Sequence, residues 1–399
     1  MYIFFKKNKI IIFLFLTFLI VYLIAWNRGL TLLYIIAELS LATLLISIIA
    51  PYFNILGISS TIKHAKYFNQ NETITIKIDL DTYSFFNKYF LELWIKTPFS
   101  QKQNHMFFIT KLAGKQTIET KIVCDIRGVH QVGPLLIQTG FPLGLKIFKK
   151  VLQNQDTQVV ILPNYVDIKK NILSTNEGSN LYGNSNSTKK GGYNEFISIR
   201  EYKPGDSPRH IHWPGSAKKG KLLVKEYQDN LFSNMVVILD LNKDYDVGSG
   251  KHTTLEYAIT ISLSMIIYAL SNGYSVSLFG FGKEYIEFLD MSNVGESNQI
   301  TKALAYVKSN GEKNYKDVVK HALKKSKRGA TVVLFDNGKG TILKNIQTYT
   351  SQHFKPILFD IDAKSFKQES LNTAFKQENK HNYMHYKLEK GCDIQRMFS

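Results

Sequence analysis

The 399-residue chain has only two cysteines, Cys124 and Cys392, far apart and not in a C-x-x-C pair. That spacing excludes a disulfide framework and a thiolate zinc site. Signatures of catalysis are missing as well. No serine stands in a G-x-S-x-G elbow, and neither a Walker lysine loop nor an H-E-x-x-H pair occurs. Gly280-Phe281-Gly282 is a lone glycine pair, too little for a phosphate site, and no internal repeat is present. Acidic residues are scarce: 32 aspartates and glutamates against 50 lysines and arginines leave a net charge of +18. Such an excess suits an anionic membrane surface or nucleic acid. Between Lys189 and Glu226, where Tyr202 and Trp213 offer stacking surfaces, the positive charges alternate with acids. No nucleic-acid-binding motif accompanies them, so nucleic acid is not an expected partner.

What the chain does have is apolar sequence at its start. Ile10 to Trp26 carries no charge, Asn27-Arg28-Gly29 interrupts, and Leu30 to Phe53 continues with Glu38 as its one ionisable group. About 20 apolar residues span the hydrocarbon core, so two membrane helices are predicted. No A-x-A cleavage site follows the first run, which argues against a signal peptide. Lys6, Lys7 and Lys9 precede the first run, and Lys63, His64 and Lys66 follow the second. Positive flanks stay in the cytoplasm, so both termini and the soluble domains are expected at the cytoplasmic face of a two-pass inner-membrane protein. Glu38 is expected to pack against the first helix near Ser40 and Thr43, since no second ionisable group at that depth forms a proton relay.

Residues 73–80, TITIKIDL, alternate with a period of two. Segments 89–96, 106–112, 117–124, 128–138 and 157–163 continue as strand candidates, which predicts a small sandwich. Residues 171–195, rich in Asn, Ser, Gly and Thr, read as a linker. Beyond it, continuous apolar strands at 234–240, 274–282, 331–336 and 354–360 alternate with helical segments at 252–271, 297–309, 315–327 and near 340–352. That pattern predicts a doubly wound, mostly parallel α/β sheet. Asp240, Asp336 and Asp360 end three of its strands, at the edge where open sheets bind ligands. Residues 366–399 are lysine-rich, with a strand at 382–390 and otherwise a tail. The expected divisions are a hairpin (1–56), a sandwich (57–165), a linker with a dense polar segment (166–232), the α/β domain (233–365) and the tail or edge strand (366–399).

The dense segment runs from Phe196 to Gln228. Pro204-Gly205 fixes a tight reversal, Asp206 caps a helix starting at Ser207, and Arg200 or Arg209 can fork onto Asp206 or Glu226. His210 and His212 would share a face only in a strand and have no third ligand nearby, so both read as ordinary polar histidines. The pattern R-x-Y-x-P-G-D-x-x-R-x-I-x-W-x-x-S-A spans Arg200, Tyr202, Pro204, Gly205, Asp206, Arg209, Trp213, Ser216 and Ala217, followed by Val224-Lys225-Glu226. It resembles a bacterial family catalogued as domain of unknown function 58. The resemblance extends upstream to RGVHQVGP (127–134), GFPLGL (140–145) and VVILPN (159–164), with Gly140-Phe141 where the family more often has an aspartate before the proline.

The resemblance implies a membrane hairpin, a β-sandwich and a domain similar to von Willebrand factor type A. It also implies association with MoxR-type AAA+ ATPases and, often, with transglutaminase-like membrane proteins, and no established enzyme activity. Type A domains bind a divalent cation through D-x-S-x-S, a later threonine and a later aspartate. Here Asp240, Asn242 and Asp244 replace the first set, Asp336 fits the last, and Asn310-Gly311-Glu312-Lys313-Asn314 stands at the threonine loop without a hydroxyl. Oxygen donors suit Mg²⁺ or Ca²⁺, whereas a strand-end aspartate also caps turns, and the second reading is expected here. The expected function is therefore a non-catalytic membrane scaffold that docks an ATPase, with no cofactor. A metal-dependent hydrolase using the acidic rim is the alternative.

Overall fold

The computed structural model describes residues 9–152, 158–170, 172–173, 195–203, 211–228, 234–338, 340, 342–351, 354–367, 375–380 and 383–399. Of Lys9, residues 195–198, 226–228 and 379–380 it describes the backbone alone. The chain forms two compact units, Met1–Leu162 and Pro163–Ser399. Most of the expected linker, 171 and 174–194, lies outside the described residues.

The first unit opens with α1 (Lys9–Arg28) and α2 (Thr31–Ile55), joined at Gly29 in the left-handed region (φ 64°). Both are long and apolar enough to cross a membrane. Ala25 and Ala37 are fully buried, small residues of the kind that let two helix backbones approach. Outward, large side chains such as Phe13, Leu16, Leu32 and Leu39 are exposed, a surface that fits a lipid surrounding. The hydroxyls of Thr17, Ser40, Thr43 and Ser47 donate to carbonyls three or four residues back, so these four are satisfied within their own helices. Glu38 is not packed against α1 as expected. It is exposed, because its position falls on the face of α2 turned away from Ala37.

Ten strands follow: β1 (Ile58–Lys63), β2 (Tyr67–Asn69), β3 (Thr73–Thr82), β4 (Lys88–Lys96), β5 (Asn104–Leu112), β6 (Gln116–Val123), β7 (Gly128–Gln131), β8 (Leu135–Thr139), β9 (Phe148–Leu152) and β10 (Gln158–Leu162). They make sheets ordered β1-β3-β6, β5-β4-β8-β9 and β2-β10-β7. Alternation along β3 buries Ile74, Ile76, Ile78 and Leu80, which share one core with Leu91, Leu93 and Ile95 of β4. The segment 128–138 is not one strand. Pro134 has no N–H to give a ladder and Gly133 lies at φ 106°, so the chain turns and β7 pairs with β10 while β8 pairs with β4. Cys124 is a free, buried thiol that burial pushes up to about 12, hence unreactive at neutral pH.

Asp79 on β3 is held below the ordinary aspartate range by Lys63 at 2.8 Å and by the Thr117 hydroxyl at 2.6 Å. A lowered native value makes this contribution fully present above pH ~4 and lost as pH falls through the native value. The urea midpoint of the sandwich is therefore expected to drop more steeply with acid in the wild type than in Asp79→Asn.

The second unit contains β11 (Glu195–Glu201), α3 (Trp213–Lys219), β12 (Leu223–Gln228), β13 (Asn234–Leu239), β14 (Gly248–Ser249), β15 (His252–Thr253), α4 (Thr254–Ser271), β16 (Ser275–Phe281), β17 (Tyr285–Met291), α5 (Ser297–Tyr306), α6 (Tyr315–Lys325), β18 (Thr331–Asp336), α7 (Ile346–Ser351), β19 (Lys355–Ile361), β20 (Phe375–Lys380), β21 (Tyr383–Leu388) and α8 (Ile394–Phe398). Seven strands form one sheet, β17-β16-β13-β18-β19-β21-β20, parallel in its five central members and antiparallel at both edges. One face packs on α4, α5 and α8, and the other on α6 and α7. Helix α4 matches a membrane span in length and apolarity, yet most of it is buried in this domain. The final segment is a pair of sheet strands, with β21 central enough to bury Tyr386 and Leu388.

Candidate functional site

Chain order places β16 on one side of β13 and β18 on the other, so the sheet reverses its winding between β13 and β18. Strands separate at such a point, and the crevice beyond their carboxyl ends is where α/β sheets take ligands. Pairing of β13 with β18 stops at Ile238 and Leu334. There the Tyr315 hydroxyl, arriving from the start of α6, donates to the Ile238 carbonyl at 2.6 Å and accepts from the Phe335 N–H at 3.1 Å. It occupies the position of the next ladder bond and props the strands apart. Tyr315→Phe is expected to strand both main-chain groups and cost about 2 kcal/mol, read as a lower urea midpoint.

The resulting cleft, about 310 Å³, is lined by Asp240, Asn242, Asp244, Glu312, Asn314 and Asn337, with Tyr245 and Tyr315 at its base. Its wall is a series of turns held by side-chain oxygens. Asp240 Oδ1 accepts from the Asn242 N–H at 3.0 Å, and Asn242 Oδ1 accepts from the Asp244 N–H at 3.0 Å. Asn242 Nδ2 reaches the Lys313 carbonyl at 3.1 Å, and the Ser309 hydroxyl bonds the Asn242 carbonyl. Gly311 donates to the Leu241 carbonyl and accepts from the Lys243 N–H, clasping the loop 308–314 to the turn after β13. Opposite, the buried Asp336 accepts from Asn337 N–H at 2.8 Å and from Ile342 N–H at 3.1 Å, one on each oxygen. Asp360, its register partner on β19, accepts from Gly338 N–H at 2.9 Å.

Electrostatics follow from burial. The Tyr245 hydroxyl, 1% exposed, has no hydrogen-bond partner among the described residues, and burial followed by the Asp240 carboxylate holds it well above the ordinary phenol value. Burial does the same for Tyr315, against the lowering effect of its Phe335 bond. Both stay neutral, so the charge of the cleft is that of its carboxylates. As a metal site the donor set fits poorly. Asp336 has one amide on each oxygen, Asp240 and Asn242 are occupied in turns, and no three His, Cys, Asp or Glu side chains among the described residues cluster at ligating distance. These oxygens are committed to holding turns rather than gathered as a Mg²⁺ or Ca²⁺ cage.

The dense polar segment is elsewhere in this unit. Strands β11 and β12 form a hairpin that pairs Arg200 with Val224 and Lys225 with Ile199, and Tyr202 N–H reaches the Leu222 carbonyl. Arg200 donates to the Glu201 carbonyl at 3.1 Å. Pro204, Gly205, Asp206, Arg209 and His210 lie outside the described residues, as does the Glu226 side chain, and with them the predicted cap and carboxylate fork. Trp213 does not hold the segment together: it begins α3 and is 63% exposed. Ala217 is exposed as well. The fixing side chains are His212 and Ser216. His212 Nδ1 accepts from Gly215 N–H at 3.0 Å, and a Cβ at Gly215 would stand 2.4 Å from that nitrogen. Ser216 donates to the His212 carbonyl and accepts from Leu223 N–H, tying α3 to β12. The reading of His212 as an ordinary polar side chain missed its capping role. The roles of Tyr245, Tyr315 and Gly311 were missed too, since a lone Tyr or Gly in a loop or at a helix start carries no motif.

Residues 198–347 match the family model described as protein of unknown function DUF58. Among curated proteins, the uncharacterized protein YeaD of Bacillus subtilis (strain 168) is 26% identical over 158 residues, 40% of this chain and 37% of that protein. The match thus spans well under half the length of this relative. The CARDB domain of PF1109 from Pyrococcus furiosus, in its NMR structure, aligns with a TM-score of 0.18 at 8% identity, covering 26% of this chain and 94% of that one. Alkylpurine DNA glycosylase AlkC of Pseudomonas fluorescens gives a TM-score of 0.17 at 10% identity, over 26% and 30%. Scores this low say nothing about fold or function. The hairpin of β11 and β12, helix α3 and the cleft-bearing strands β13 to β18 therefore fall in the segment that matches the DUF58 model, the model of a family of unknown function.

Proposed function

We propose that this protein is a membrane-anchored cytoplasmic scaffold whose α/β cleft docks a MoxR-type AAA+ ATPase and which performs no catalysis itself. The observation that carries this reading is how the rim uses its carboxylates. Asp240, Asp336 and Asp360 each accept main-chain N–H groups. Side chains engaged this way shape loops, and shaped loops around an acidic crevice form a recognition surface. Glu312 and Asp244 then supply negative charge toward a basic partner element. The strand order and the D-L-N-K-D turn after β13 support likening the unit to von Willebrand factor type A domains with a degenerate, metal-free rim.

The anchor reading has α1 and α2 crossing the inner membrane, with both termini and both units cytoplasmic on the strength of the lysines flanking each run. Basic residues close to anionic lipid add about 1 kcal/mol each, which strengthens attachment without choosing a partner. Transglutaminase-like membrane proteins are further candidate partners, and nucleic acid is not among them. The test is affinity purification of the full-length protein from its native membrane, beside Glu312→Lys. Recovery of an AAA+ ATPase with the wild type, reduced at least tenfold in the variant, is the expected result. No ATPase with either chain would overturn the proposal.

A further inference from the structure

Helix α2 has 25 residues and is about 37 Å long, against a hydrocarbon core of roughly 30 Å. Counted from Thr31, its last turn from Tyr52 emerges into the polar interface. That turn is bonded to the sandwich. Asn54 Nδ2 donates to the Tyr89 carbonyl at 2.7 Å and to Thr139 Oγ1 at 3.0 Å, and Asn54 Oδ1 accepts from Tyr89 N–H. Lys88 Nζ donates to the Phe53 carbonyl at 2.7 Å, Tyr83 N–H donates to the Gly57 carbonyl, and the Tyr52 ring meets Phe148 at 5.9 Å. Two loops are therefore fixed beside the helix end: 83–87 between β3 and β4, and 140–147 between β8 and β9.

Both loops turn large apolar side chains outward. Tyr83 is 80% exposed, Phe85 98% and Phe86 74%, while Leu143 (58%) and Ile147 (57%) are more than half exposed on the second loop. Phe141 of the second loop stacks on Phe90, and Lys146 lies over the Phe148 ring, placing a cation among the aromatics. Aromatic side chains with a nearby lysine are what the headgroup region accommodates. The opposite end of the sandwich differs: the loop 97–103, roughly 30 Å along β4, exposes Gln101, Lys102 and Gln103.

We propose that loops 83–87 and 140–147 form an aromatic and aliphatic foot that inserts into the interface of the bilayer crossed by the hairpin, holding the sandwich upright on the membrane. Lipid is the occupant because the foot continues from a helix end that has just left the hydrocarbon. The inference rests on the membrane-anchor reading above, and its test separates the two.

Full-length protein carrying Phe85→Cys, Leu143→Cys, Lys102→Cys or Leu39→Cys, one at a time, would be labelled with a nitroxide. It would then be reconstituted into vesicles of phosphatidylethanolamine and phosphatidylglycerol. Native Cys124 and Cys392 are buried, so the added thiol takes the label. Power-saturation spectroscopy compares collisions with oxygen, which concentrates in lipid, and with a water-soluble nickel complex. The account expects oxygen-dominated relaxation at Leu39, a smaller oxygen excess at Phe85 and Leu143, and nickel-dominated relaxation at Lys102. Oxygen dominance at Leu39 with nickel dominance at Phe85 and Leu143 would overturn the foot and leave the anchor standing. Shielding of Phe85 and Leu143 from both reagents would mean that protein covers the loops, which also overturns it. Nickel dominance at Leu39 would overturn the anchor and the foot together.

Discussion

Gly311→Ala is expected to destabilise the α/β unit by about 3 kcal/mol and, on the scaffold proposal, to abolish docking of the ATPase. A Cβ at this position would stand 2.2 Å from the Phe281 carbonyl oxygen and 3.0 Å from that of Leu241. Both are backbone atoms, one at the end of β16 and one just past β13, so neither can rotate away as a side-chain tip would. Relief requires the loop 308–314 to lift, which breaks the Gly311–Leu241 and Lys243–Gly311 hydrogen bonds and the Asn242–Lys313 contact with them. Calorimetry of the full-length protein in detergent is expected to show the α/β transition lowered by roughly 6–12 °C. Glu312→Ala, one residue along and facing the cleft, should stay within about 0.5 kcal/mol of wild type while weakening the partner. Equal loss of stability in both variants would refute the clasp.

The second large effect is expected at Asn54, where alanine should cost the first unit about 3 kcal/mol. Asn54 is buried and makes three hydrogen bonds, two of them to the main chain of Tyr89. Phe90 beside it has a left-handed backbone (φ 49°), so this edge of β4 cannot satisfy itself by regular pairing alone. Without the carboxamide, the Tyr89 N–H loses its acceptor at a place water enters poorly. Asn54→Asp tests the donor half: its carboxylate still accepts from Tyr89 N–H but sets an acceptor against the Tyr89 carbonyl in a buried place, so a loss at least as large as alanine's is expected. Hydrogen exchange should place the damage at the Tyr89 amide and the neighbouring turn of α2. An alanine variant as protected there as wild type would show that the helix end is held by other contacts.

Periodicity made much of this architecture legible. Ile74, Ile76, Ile78 and Leu80 alternate in sequence and are all buried on one face of β3. Helix α4 shows its apolar spacing from Leu255 to Leu270, and Asp336 and Asp360 sit at the carboxyl edge as their strand-end positions implied. Less was legible where one residue's role depends on a distant segment. Strand β17 (YIEFLDM) was not among the expected strands: it is a half-buried antiparallel edge between stronger signals, and its period is masked by a register shift. Division of 128–138 into strands of two sheets depends on which partners accept β7 and β8. The cleft was harder still. Its aspartates were visible as candidates, but Tyr315 enters from α6, 77 residues beyond Ile238, and nothing in its neighbourhood marks it as a strut. Conversely, Trp213 stood out as part of the long signature pattern, while the segment is fixed by His212 and Ser216.

The most direct test of the scaffold reading is a photo-activatable amino acid at Glu312, introduced into the full-length protein in its native cell and irradiated there. Glu312 lines the cleft, and a short crosslinker at this side chain captures only what sits on the rim. The account predicts one dominant adduct containing an AAA+ ATPase, lost when Gly311→Ala is added and unaffected by a solvent-facing change such as Lys102→Ala. An abundant adduct with any other class of protein, or no adduct while the protein remains in the membrane, would contradict it.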